Sequence, residues 1–399
     1  MIEGLKTYII GAGIGGLALA RVLALRGADV TVLEQAGEIK EVGAGLQISP
    51  NGLAVLRAIG LEPALVRSGA VLADTVRLMD YRGGEVVRLD LTQMSPQKYY
   101  FVHRAELISL LAEGARAAGA KIELLQKVER VEPGAPAALV VQGGARREAD
   151  LVVGADGVHS VVRPVLNGVR APFFTGNAAW RAVVPNHWGR RSDVQVHMGP
   201  RRHLVSYPLM GGRLLNLVAV QEQRAWLEES WTQADDPANL RAAFADFAPE
   251  VGEMLDAVDE VRLWGLFRHP VAEHWHGQGL ALLGDAAHPT LPFLAQGAVM
   301  ALEDAWGLGA ALEQAAGLGT GLGTGLETYQ LWRRARAQKV IRAATGNAWK
   351  YHLGVGPLRF AAHTALRLGG ALAPRRMLGQ FDWLYGYDIT EALPEKSGR

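Results

Sequence analysis

The sequence predicts an α/β fold in which a Rossmann-like domain is interleaved with an antiparallel β-sheet domain and followed by C-terminal helices. Residues 7–33 run from a β-branched segment through a glycine turn and a Leu- and Ala-rich segment to a second β-branched segment. That order is typical of a βαβ unit. Between residues 180 and 221, apolar or alternating segments are separated by Gly and Pro, which indicates antiparallel strands. A buried strand pattern returns at 280–283, and most of the chain after it has a helical pattern.

The composition excludes several classes of protein. The chain has 399 residues, more than the ~250–300 at which one core usually stops growing, so we expect more than one domain. With 41 basic and 40 acidic residues, the net charge of +1 gives no broad field for nucleic acid or an anionic membrane. The absence of cysteine excludes thiol nucleophiles, Cys-zinc sites and iron–sulfur clusters, and it suits a cytoplasmic location. The histidines at 269–276 lack a metal-binding spacing, so we predict no metal site.

Two segments near the C-terminus have no catalytic motif. Residues 317–325 (GLGTGLGTG) have glycine at every second position and predict a flexible surface loop. Residues 353–373 are apolar but carry Arg359, His363 and Arg367 at a spacing of four, which predicts an amphipathic helix. We expect this helix to pack against its own protein, and the alternative is a helix on a membrane surface. We expect no membrane span, since no uninterrupted apolar run reaches ~20 residues.

The glycine turn contains the motif Gly11-x-Gly13-x-x-Gly16. The first glycine permits a tight turn, the second lets a pyrophosphate approach the backbone, and the third lets the helix pack closely on the strand. Unpaired N–H groups at the helix N-terminus then face the phosphates. Glu34 follows Gly16 by 34 − 16 = 18 residues, at the end of the second strand, where it can accept a hydrogen bond from a ribose hydroxyl. These features predict dinucleotide binding.

Two further strands end in an acidic residue beside glycine. The first precedes Asp156-Gly157 and the second precedes Gly284-Asp285. A carboxylate at a strand end can accept a hydrogen bond from a sugar alcohol, although each segment alone also fits a helix cap or a turn.

With these three motifs in this order, the chain resembles the single-component, FAD-dependent aromatic hydroxylases (group A flavoprotein monooxygenases). The resemblance covers almost the whole length and implies FAD as the cofactor and NAD(P)H as a transient co-substrate. It implies that Asp156-Gly157 serves both FAD and the pyridine nucleotide, and that Asp285 binds the ribityl chain. His103-Arg104-x-x-Leu107 looks like the family's H-R-x-x-L, whose arginine lies against the flavin cofactor.

Two segments resemble parts of the family fold that pass the flavin ring. In the segment 289–305, backbone N–H groups near Gly297 and Ala298 would meet the pyrimidine edge of the flavin, at a helix N-terminus that favours the anionic reduced form. The segment 43–51 is similar to the stretch beside the isoalloxazine and would bring Gln47 into the substrate pocket. The resemblance also implies a discontinuous FAD-binding domain, a β-rich substrate domain and a C-terminal helical region, at 1–72, 98–172 and 270–315, at 73–97 and 173–269, and at 316–399, respectively.

Within the family, the chain looks most like salicylate, 3-hydroxybenzoate and 6-hydroxynicotinate hydroxylases. Members of this subgroup have a histidine and a tyrosine four apart in the substrate pocket, matched here by His203 and Tyr207. In a strand these two residues share one face, with Cα atoms roughly 13 Å apart. Pro292, where some 3-hydroxybenzoate enzymes have glutamine, favours the salicylate and hydroxynicotinate members. Four arginines are equal candidates for the substrate carboxylate: Arg181, Arg201, Arg202 and Arg213.

The resemblance implies hydroxylation of a small hydroxylated aromatic acid with O2, through a flavin C4a-hydroperoxide. A deprotonated phenol is the better target, so we assign His203 as the base, since an unperturbed histidine pKa near ~6.5 suits this task, and Tyr207 as the residue that orients the substrate oxygen. The alternatives are an oxidase or epoxidase acting on a non-phenolic substrate, and a binding protein without FAD. The ring position, the choice between NADH and NADPH, coupled decarboxylation, and a monomeric or homodimeric state all stay open.

Overall fold

The computed structural model describes residues 2–39, 44–94, 98–224 and 234–392. Its strands are β1 (Lys6–Ile10), β2 (Asp29–Leu33), β3 (Gly45–Ile48), β4 (Val71–Leu72), β5 (Thr75–Asp80), β6 (Glu85–Asp90), β7 (Tyr100–His103), β8 (Lys121–Glu123), β9 (Val128–Glu132), β10 (Ala137–Val141), β11 (Arg146–Ala149), β12 (Leu151–Gly154), β13 (Phe173–Pro185), β14 (Asp193–Gly199), β15 (Arg202–Leu209), β16 (Leu214–Glu222), β17 (Ala234–Asp235), β18 (Val261–Arg268), β19 (His276–Gly277) and β20 (Leu280–Leu282). Its helices are α1 (Ile14–Ala24), α2 (Pro50–Ala58), α3 (Glu62–Arg67), α4 (Arg104–Ala117), α5 (Arg163–Asn167), α6 (Pro237–Ala243), α7 (Pro249–Asp256), α8 (Gly297–Leu318), α9 (Gly321–Tyr351), α10 (Pro357–Leu372), α11 (Pro374–Gly379), α12 (Asp382–Tyr385) and α13 (Ile389–Ala392).

A six-stranded sheet in the order β19-β20-β12-β1-β2-β8 forms the Rossmann-like part of the molecule. All neighbours are parallel except the short edge strand β19. The interior strands read as continuous apolar runs because helices such as α1 cover the sheet, as parallel sheets require. The predicted strands at 7–10, 29–33, 151–153 and 280–283 are therefore confirmed as neighbours in one sheet, although the chain between them leaves and returns.

An eight-stranded sheet in the order β17-β18-β13-β16-β15-β14-β5-β6 holds the predicted antiparallel segment. Only the β14–β5 pair within it is parallel. One face carries apolar side chains that pack against α6 and α7, including Trp180, Leu204 and Leu217. The opposite face carries His203, Tyr207 and their cross-strand neighbours. Since side chains alternate along a strand, every second residue of the central strands points to this second face.

The predicted loop at 317–325 is wrong. Helix α8 continues to Leu318, a short turn with left-handed Gly319 and Gly321 follows, and α9 begins at Gly321. The glycines fit because α8 and α9 pack closely: a Cβ at Gly325 would lie 3.1–3.2 Å from atoms of α8. Composition alone does not reveal this contact, which outweighs the low helix propensity of glycine.

The predicted amphipathic helix at 353–373 forms as α10, but it buries two of the three residues of its polar face, Arg359 and His363. Arg359 donates to the Asp80 carboxylate at 2.9 Å and to the Met198 carbonyl at 2.6 Å, and His363 lies 3.3 Å from Asp80. The third, Arg367, is exposed together with several apolar residues of the segment, of which Phe360 is 72% exposed. The spacing thus predicted the two faces, while the buried partner Asp80 determines which one faces the protein. No helix in the described ranges is both long and apolar enough to cross a bilayer.

Candidate active site

The glycine loop between β1 and α1 leaves an open face at the helix N-terminus. Gly11 has a φ of +102°, and a Cβ there would lie 2.6 Å from the Ala155 carbonyl oxygen. A Cβ at Gly16 would lie 2.1 Å from the Gly11 oxygen, so these two glycines are required by close packing. At Gly13, in contrast, a Cβ would meet no protein atom within 4 Å. The absence of a protein reason for Gly13 fits a ligand that approaches the backbone there.

Glu34 stands at the end of β2, beside this loop. Its carboxylate accepts hydrogen bonds from the backbone N–H groups of Ala12 at 2.8 Å and Ala36 at 2.9 Å. These bonds fix the carboxylate, and a carboxylate has further lone pairs that can accept from a ribose hydroxyl. The predicted position of Glu34 relative to the glycine loop is therefore found in the structure.

The two other acidic residues follow neighbouring strands of the parallel sheet. Asp156 follows β12 and accepts from the Val161 N–H at 2.8 Å, while its second oxygen is buried without a hydrogen-bond partner among the described residues. Burial raises the pKa of Asp156 to about 6, against hydrogen bonds from Ser160 and Val161 that lower it. Asp285 follows β20, where its surroundings also raise its pKa, chiefly by burial. Although its carboxylate is surrounded by protein, Asp285 as a whole residue is exposed to solvent. Its side chain therefore lines a cleft and is available to a ligand.

A buried polar network places the Gly284-Asp285 turn and the start of α8. Asp304 on α8 accepts from the Gly284 N–H at 3.1 Å and also pairs with His288 and with Arg333 on α9. A second group joins β3, α2 and α8 through Gln296, the N-cap of α8, which bonds Ser49 at 2.9 Å and Asn51 at 3.1 Å. The N-terminus of α8 at Gly297 and Ala298 is thus fixed beside β3, with N–H groups that can meet an anionic ring edge.

Arg104 begins α4 directly after β7, which pairs with β3. Burial and, to a lesser extent, Arg181 together lower the pKa of Arg104 to about 10, against Asp285, which raises it. Arg104 therefore interacts electrostatically with both Arg181 and Asp285. Gln47 on β3 also faces this region and accepts from the Tyr99 hydroxyl at 2.7 Å. Gly43, in the same predicted segment, lies outside the described residues.

His203 and Tyr207 lie on the same face of β15, as the spacing predicts. The His203 ring is fully enclosed and lies 5.6 Å from the ring of Phe293, which follows Pro292 in the turn before α8. Burial holds the pKa of His203 well below its usual value, and the nearby His352 lowers it further. The Tyr207 ring packs beneath β3, so close that a Cβ at Gly45 would lie 2.6 Å from it. Burial raises the pKa of Tyr207, so its hydroxyl stays protonated and can donate.

The structure separates the four arginines that the sequence left equal. Arg201 pairs with Glu222 at 3.0 Å, and Arg202 pairs with Asp246 at 2.6 Å. Arg213 bonds the Met210 carbonyl at 3.1 Å, near the end of the sheet. Arg181 alone of the four is deep on the same sheet face as His203. Its buried Nε has no hydrogen-bond partner among the described residues, its guanidinium lies 5.0 Å from the Trp264 ring centre, and burial lowers its pKa.

Sequence reasoning missed two residues that are linked to the predicted base, one directly and the other through the first. His203 Nδ1 lies 2.7 Å from His352 Nε2, and His352 Nδ1 lies 3.0 Å from a Glu222 carboxylate oxygen. His352 follows the end of α9, 149 positions from His203 in sequence, so no local spacing could reveal this contact. Glu222 ends β16, the strand beside β15.

Comparisons with known proteins agree with this geometry. A family model described as "FAD binding domain" matches residues 5–344. A 3-amino-4-hydroxybenzoate 2-monooxygenase of Streptomyces cremeus is 35% identical and covers 98% of this chain and 97% of its own length. A 6-hydroxynicotinate 3-monooxygenase of Bordetella bronchiseptica is 35% identical, with 99% and 98% covered. A 3-hydroxybenzoate 6-hydroxylase of Polaromonas naphthalenivorans is 33% identical, with 98% of both chains covered.

Solved structures share the fold at lower identity. A salicylate hydroxylase in a substrate complex superimposes with a TM-score of 0.80 at 22% identity, over 98% of this chain and 97% of that chain. Klebsiella pneumoniae HpxO with FAD and uric acid gives a TM-score of 0.82 at 24% identity, over 96% of each chain. The likeness extends through the parallel sheet, the antiparallel sheet and the helices that follow, so the α/β aromatic-hydroxylase fold predicted from the sequence is confirmed.

Proposed function

Because the chain belongs to the FAD-binding domain family and is a flavoprotein monooxygenase of the aromatic-hydroxylase type, we propose that it hydroxylates a small hydroxylated aromatic acid, with NAD(P)H and O2 as co-substrates. The choice of substrate rests on one observation: a buried cation, Arg181, and a neutral buried histidine, His203, lie on the same face of the sheet. The first suits a carboxylate and the second suits a phenol proton.

FAD fits the residues of the cleft. The open Gly13 backbone and the N-terminus of α1 would hold the pyrophosphate, Glu34 the ribose and Asp285 the ribityl chain, while the N-terminus of α8 and Arg104 would lie near the ring. When bound, FAD would accept the two electrons of NAD(P)H and pass them to O2, which supplies the activated oxygen that hydroxylation needs. A pyridine nucleotide would visit transiently, with Asp156-Gly157 as its predicted contact.

Arg181 is our candidate for the residue that binds the substrate carboxylate. A cation that is desolvated without a nearby carboxylate among the described residues costs folding free energy, and an anionic ligand would offset that cost. The other three candidates already bond to protein groups near the surface or the turn. Trp264, beneath the Arg181 guanidinium, holds it in a plane in which it could bind a carboxylate with two hydrogen bonds.

The sheet register favours a substrate whose hydroxyl is para to its carboxylate. Arg181 pairs with Val218 on β16, and Val218 pairs with Val205 on β15, midway between His203 and Tyr207. Arg181 therefore lies two strands from the His203–Tyr207 row, about 10 Å between Cα positions at the usual strand spacing. A ring with its acid and hydroxyl at opposite ends, as in 6-hydroxynicotinate or 3-amino-4-hydroxybenzoate, spans this gap better than salicylate, whose two groups are adjacent.

His203 and Tyr207 would prepare the ring for attack. Neutral His203 accepts the phenol proton, which raises the electron density of the ring, and the Tyr207 hydroxyl donates to the substrate oxygen. The enclosed apolar surroundings, with Phe293 against His203, keep water from the reacting atoms.

A turnover panel tests this proposal. Purified protein loaded with FAD is supplied with NADH or NADPH and with each of four acids: 6-hydroxynicotinate, 3-amino-4-hydroxybenzoate, 3-hydroxybenzoate and salicylate. We expect an acid whose hydroxyl is para to its carboxylate to stimulate NAD(P)H oxidation most and to give a product that has gained one oxygen atom, with or without loss of the carboxylate as CO2. Stimulation without an oxygenated product indicates oxidase activity, and no stimulation by any phenolic acid contradicts the proposal.

The carboxylate assignment has its own test. Replacing Arg181 by Met should raise KM for the acid by roughly 10²-fold or more, as the loss of a buried charged partner implies, and much less for the matching phenol without a carboxylate. Arg213→Met, which removes a guanidinium at the surface, is the matched control and should leave KM unchanged. Equal KM for the acid in Arg181→Met and wild type would refute the assignment.

A further inference from the structure

We propose that His203, His352 and Glu222 form a proton relay that carries the substrate's phenol proton from the buried pocket to solvent. This inference rests on the proposed function, because the relay serves a phenolic substrate. To the base predicted from the sequence it adds two positioning residues, His352 and Glu222, which lie outside the cleft motifs. The proposal rests on two consecutive contacts, 2.7 Å from His203 Nδ1 to His352 Nε2 and 3.0 Å from His352 Nδ1 to Glu222.

The terminal carboxylate determines which nitrogen of each ring is protonated. A carboxylate only accepts, so the Glu222 oxygen fixes the proton of His352 on Nδ1. The Nε2 of His352 is then an acceptor, and the proton of His203 must lie on Nδ1. This leaves His203 Nε2 with a free lone pair, and no described residue bonds to it. His203 is therefore held in the tautomer that a base requires, by a residue two contacts away.

The same contacts allow a balanced proton transfer. The phenol O–H bond breaks as its proton binds His203 Nε2. The Nδ1 proton of His203 passes to His352 Nε2, and the Nδ1 proton of His352 passes to Glu222. The Glu222 side chain is 35% exposed, so its proton can leave to water. Each group gains and loses one proton, no oxidant or reductant takes part, and the net change is transfer of one proton from the phenol to solvent.

The backbone around the relay fixes its geometry. Arg201, in the turn between β14 and β15, has a φ of +61°. In this conformation its N–H donates to the His352 carbonyl at 3.1 Å, and its carbonyl accepts from the Glu222 N–H at 2.9 Å. Arg201 also pairs with the second oxygen of Glu222 at 3.0 Å. One turn therefore anchors both relay residues to the strand that carries His203.

The charged and titratable groups around the relay are few. Tyr351 lies 5.3 Å from the His203 ring, and burial raises its pKa to about 12, so it stays neutral. His352 is neutral in its resting form, since burial lowers its pKa more than Glu222 raises it. Arg201 is the cation beside Glu222.

The experiment measures ionisation of a bound phenol directly, without turnover. The probe is 4-hydroxy-3-nitrobenzoate, which has its hydroxyl para to the carboxylate and whose phenolate absorbs in the visible range. It is bound to the oxidised FAD-loaded protein at low pH and mixed rapidly with buffer of higher pH, and the rise of phenolate absorbance is followed in time against the protein alone. The variants are Glu222→Gln and His352→Gln, which retain hydrogen-bonding groups but cannot pass a proton. The control is Asp246→Asn. It breaks the ion pair between Asp246 and Arg202, which begins β15, and this ion pair does not touch the relay.

In wild type we expect the bound phenol to lose its proton at least about tenfold faster after the pH jump than in either relay variant, since the variants interrupt the path to solvent. The control should ionise at the wild-type rate. With 6-hydroxynicotinate or 3-amino-4-hydroxybenzoate, the pH at which kcat reaches half its maximum should rise in the same variants while KM changes little.

Each other outcome has a defined meaning. Equal ionisation rates in wild type, Glu222→Gln and His352→Gln would overturn the relay and leave a structural tie between α9 and the sheet. An equal slowing in the Asp246→Asn control would also overturn it, because the effect would then come from surface charge. If the probe does not bind wild type at all, the proposed phenolic-acid function fails, and the relay fails with it.

Discussion

The buried network of Asp304, Glu303 and Arg333 should make replacement of Arg333 by Met strongly destabilising. The Arg333 guanidinium lies 2.6 Å from Glu303 and 2.7 Å from Asp304, and all three side chains are 0% exposed. Removing the cation leaves two buried carboxylates with fewer partners. Loss of one member of a buried ion pair costs about 3–5 kcal/mol. Asp304 keeps His288 and Glu303 keeps Arg336, so we expect the lower half of that range.

The pKa of Asp304 gives an independent magnitude. Burial opposes its ionisation, but His288 and Arg333 outweigh burial and lower the pKa from 3.8 to about 2. A shift of this size corresponds to about 2–3 kcal/mol at about 1.4 kcal/mol per pH unit. Because the folded pKa is the lower one, this stabilisation is present above pH ~4 and is lost as pH falls toward 2. Replacing Arg333 should therefore flatten the acid limb of the stability curve as well as lower its plateau.

Urea unfolding of the FAD-free protein, followed by far-UV circular dichroism between pH 3 and pH 8, measures both effects. Arg130→Gln is the matched control, since Arg130 is 64% exposed and pairs with Glu132 at the surface. It should change the free energy of unfolding by less than about 0.5 kcal/mol. If Arg333→Met lies within about 1 kcal/mol of wild type at pH 7, or keeps the wild-type slope below pH 4, the reasoning about the network is refuted.

Three further predictions follow from the packing of single residues. Gly13→Ala should keep the wild-type stability of the FAD-free protein but lose flavin affinity, measured by fluorescence titration. Gly16→Ala should lose both stability and affinity, because a Cβ meets protein atoms at Gly16 but not at Gly13. Equal flavin affinity in Gly13→Ala and wild type would contradict the phosphate site. Gly45→Ala should destabilise the protein by about 1–3 kcal/mol, since its Cβ overlaps a tyrosine ring, and a wild-type melting temperature would contradict this packing. On α10, Arg359→Met should cost about 2–4 kcal/mol in urea unfolding and Phe360→Ser less than about 0.5, and the opposite order would mean that the apolar face is the buried one.

The positions of the cleft motifs in the fold could be predicted from the sequence because each lies at a strand end of one parallel sheet. Gly11–Gly16, Glu34, Asp156 and Asp285 are placed by local rules, a turn or a strand end, and a parallel sheet brings its carboxyl ends to one edge. The shared face of His203 and Tyr207 follows from strand periodicity alone. These predictions needed no information about distant contacts.

The remaining features depend on which distant elements meet. The helical state of residues 321–325 is decided by packing of α9 on α8, and the buried face of α10 is decided by Asp80, far away in sequence. Arg181 could be distinguished from the other arginines only after their partners were known. Tertiary partners override propensity and spacing at each of these positions.

Burial gives the predicted base a role that its ordinary pKa did not suggest. From the sequence, His203 is predicted as the base because an unperturbed histidine titrates near neutral pH. In the structure His203 is enclosed and its pKa is well below that value, so its protonated form is disfavoured. A base of this kind is effective only if the proton moves on, and the contact with His352 supplies the next acceptor. The low pKa therefore suits a relay: it keeps His203 neutral and ready to accept, while the half-exposed Glu222 connects the buried site to solvent.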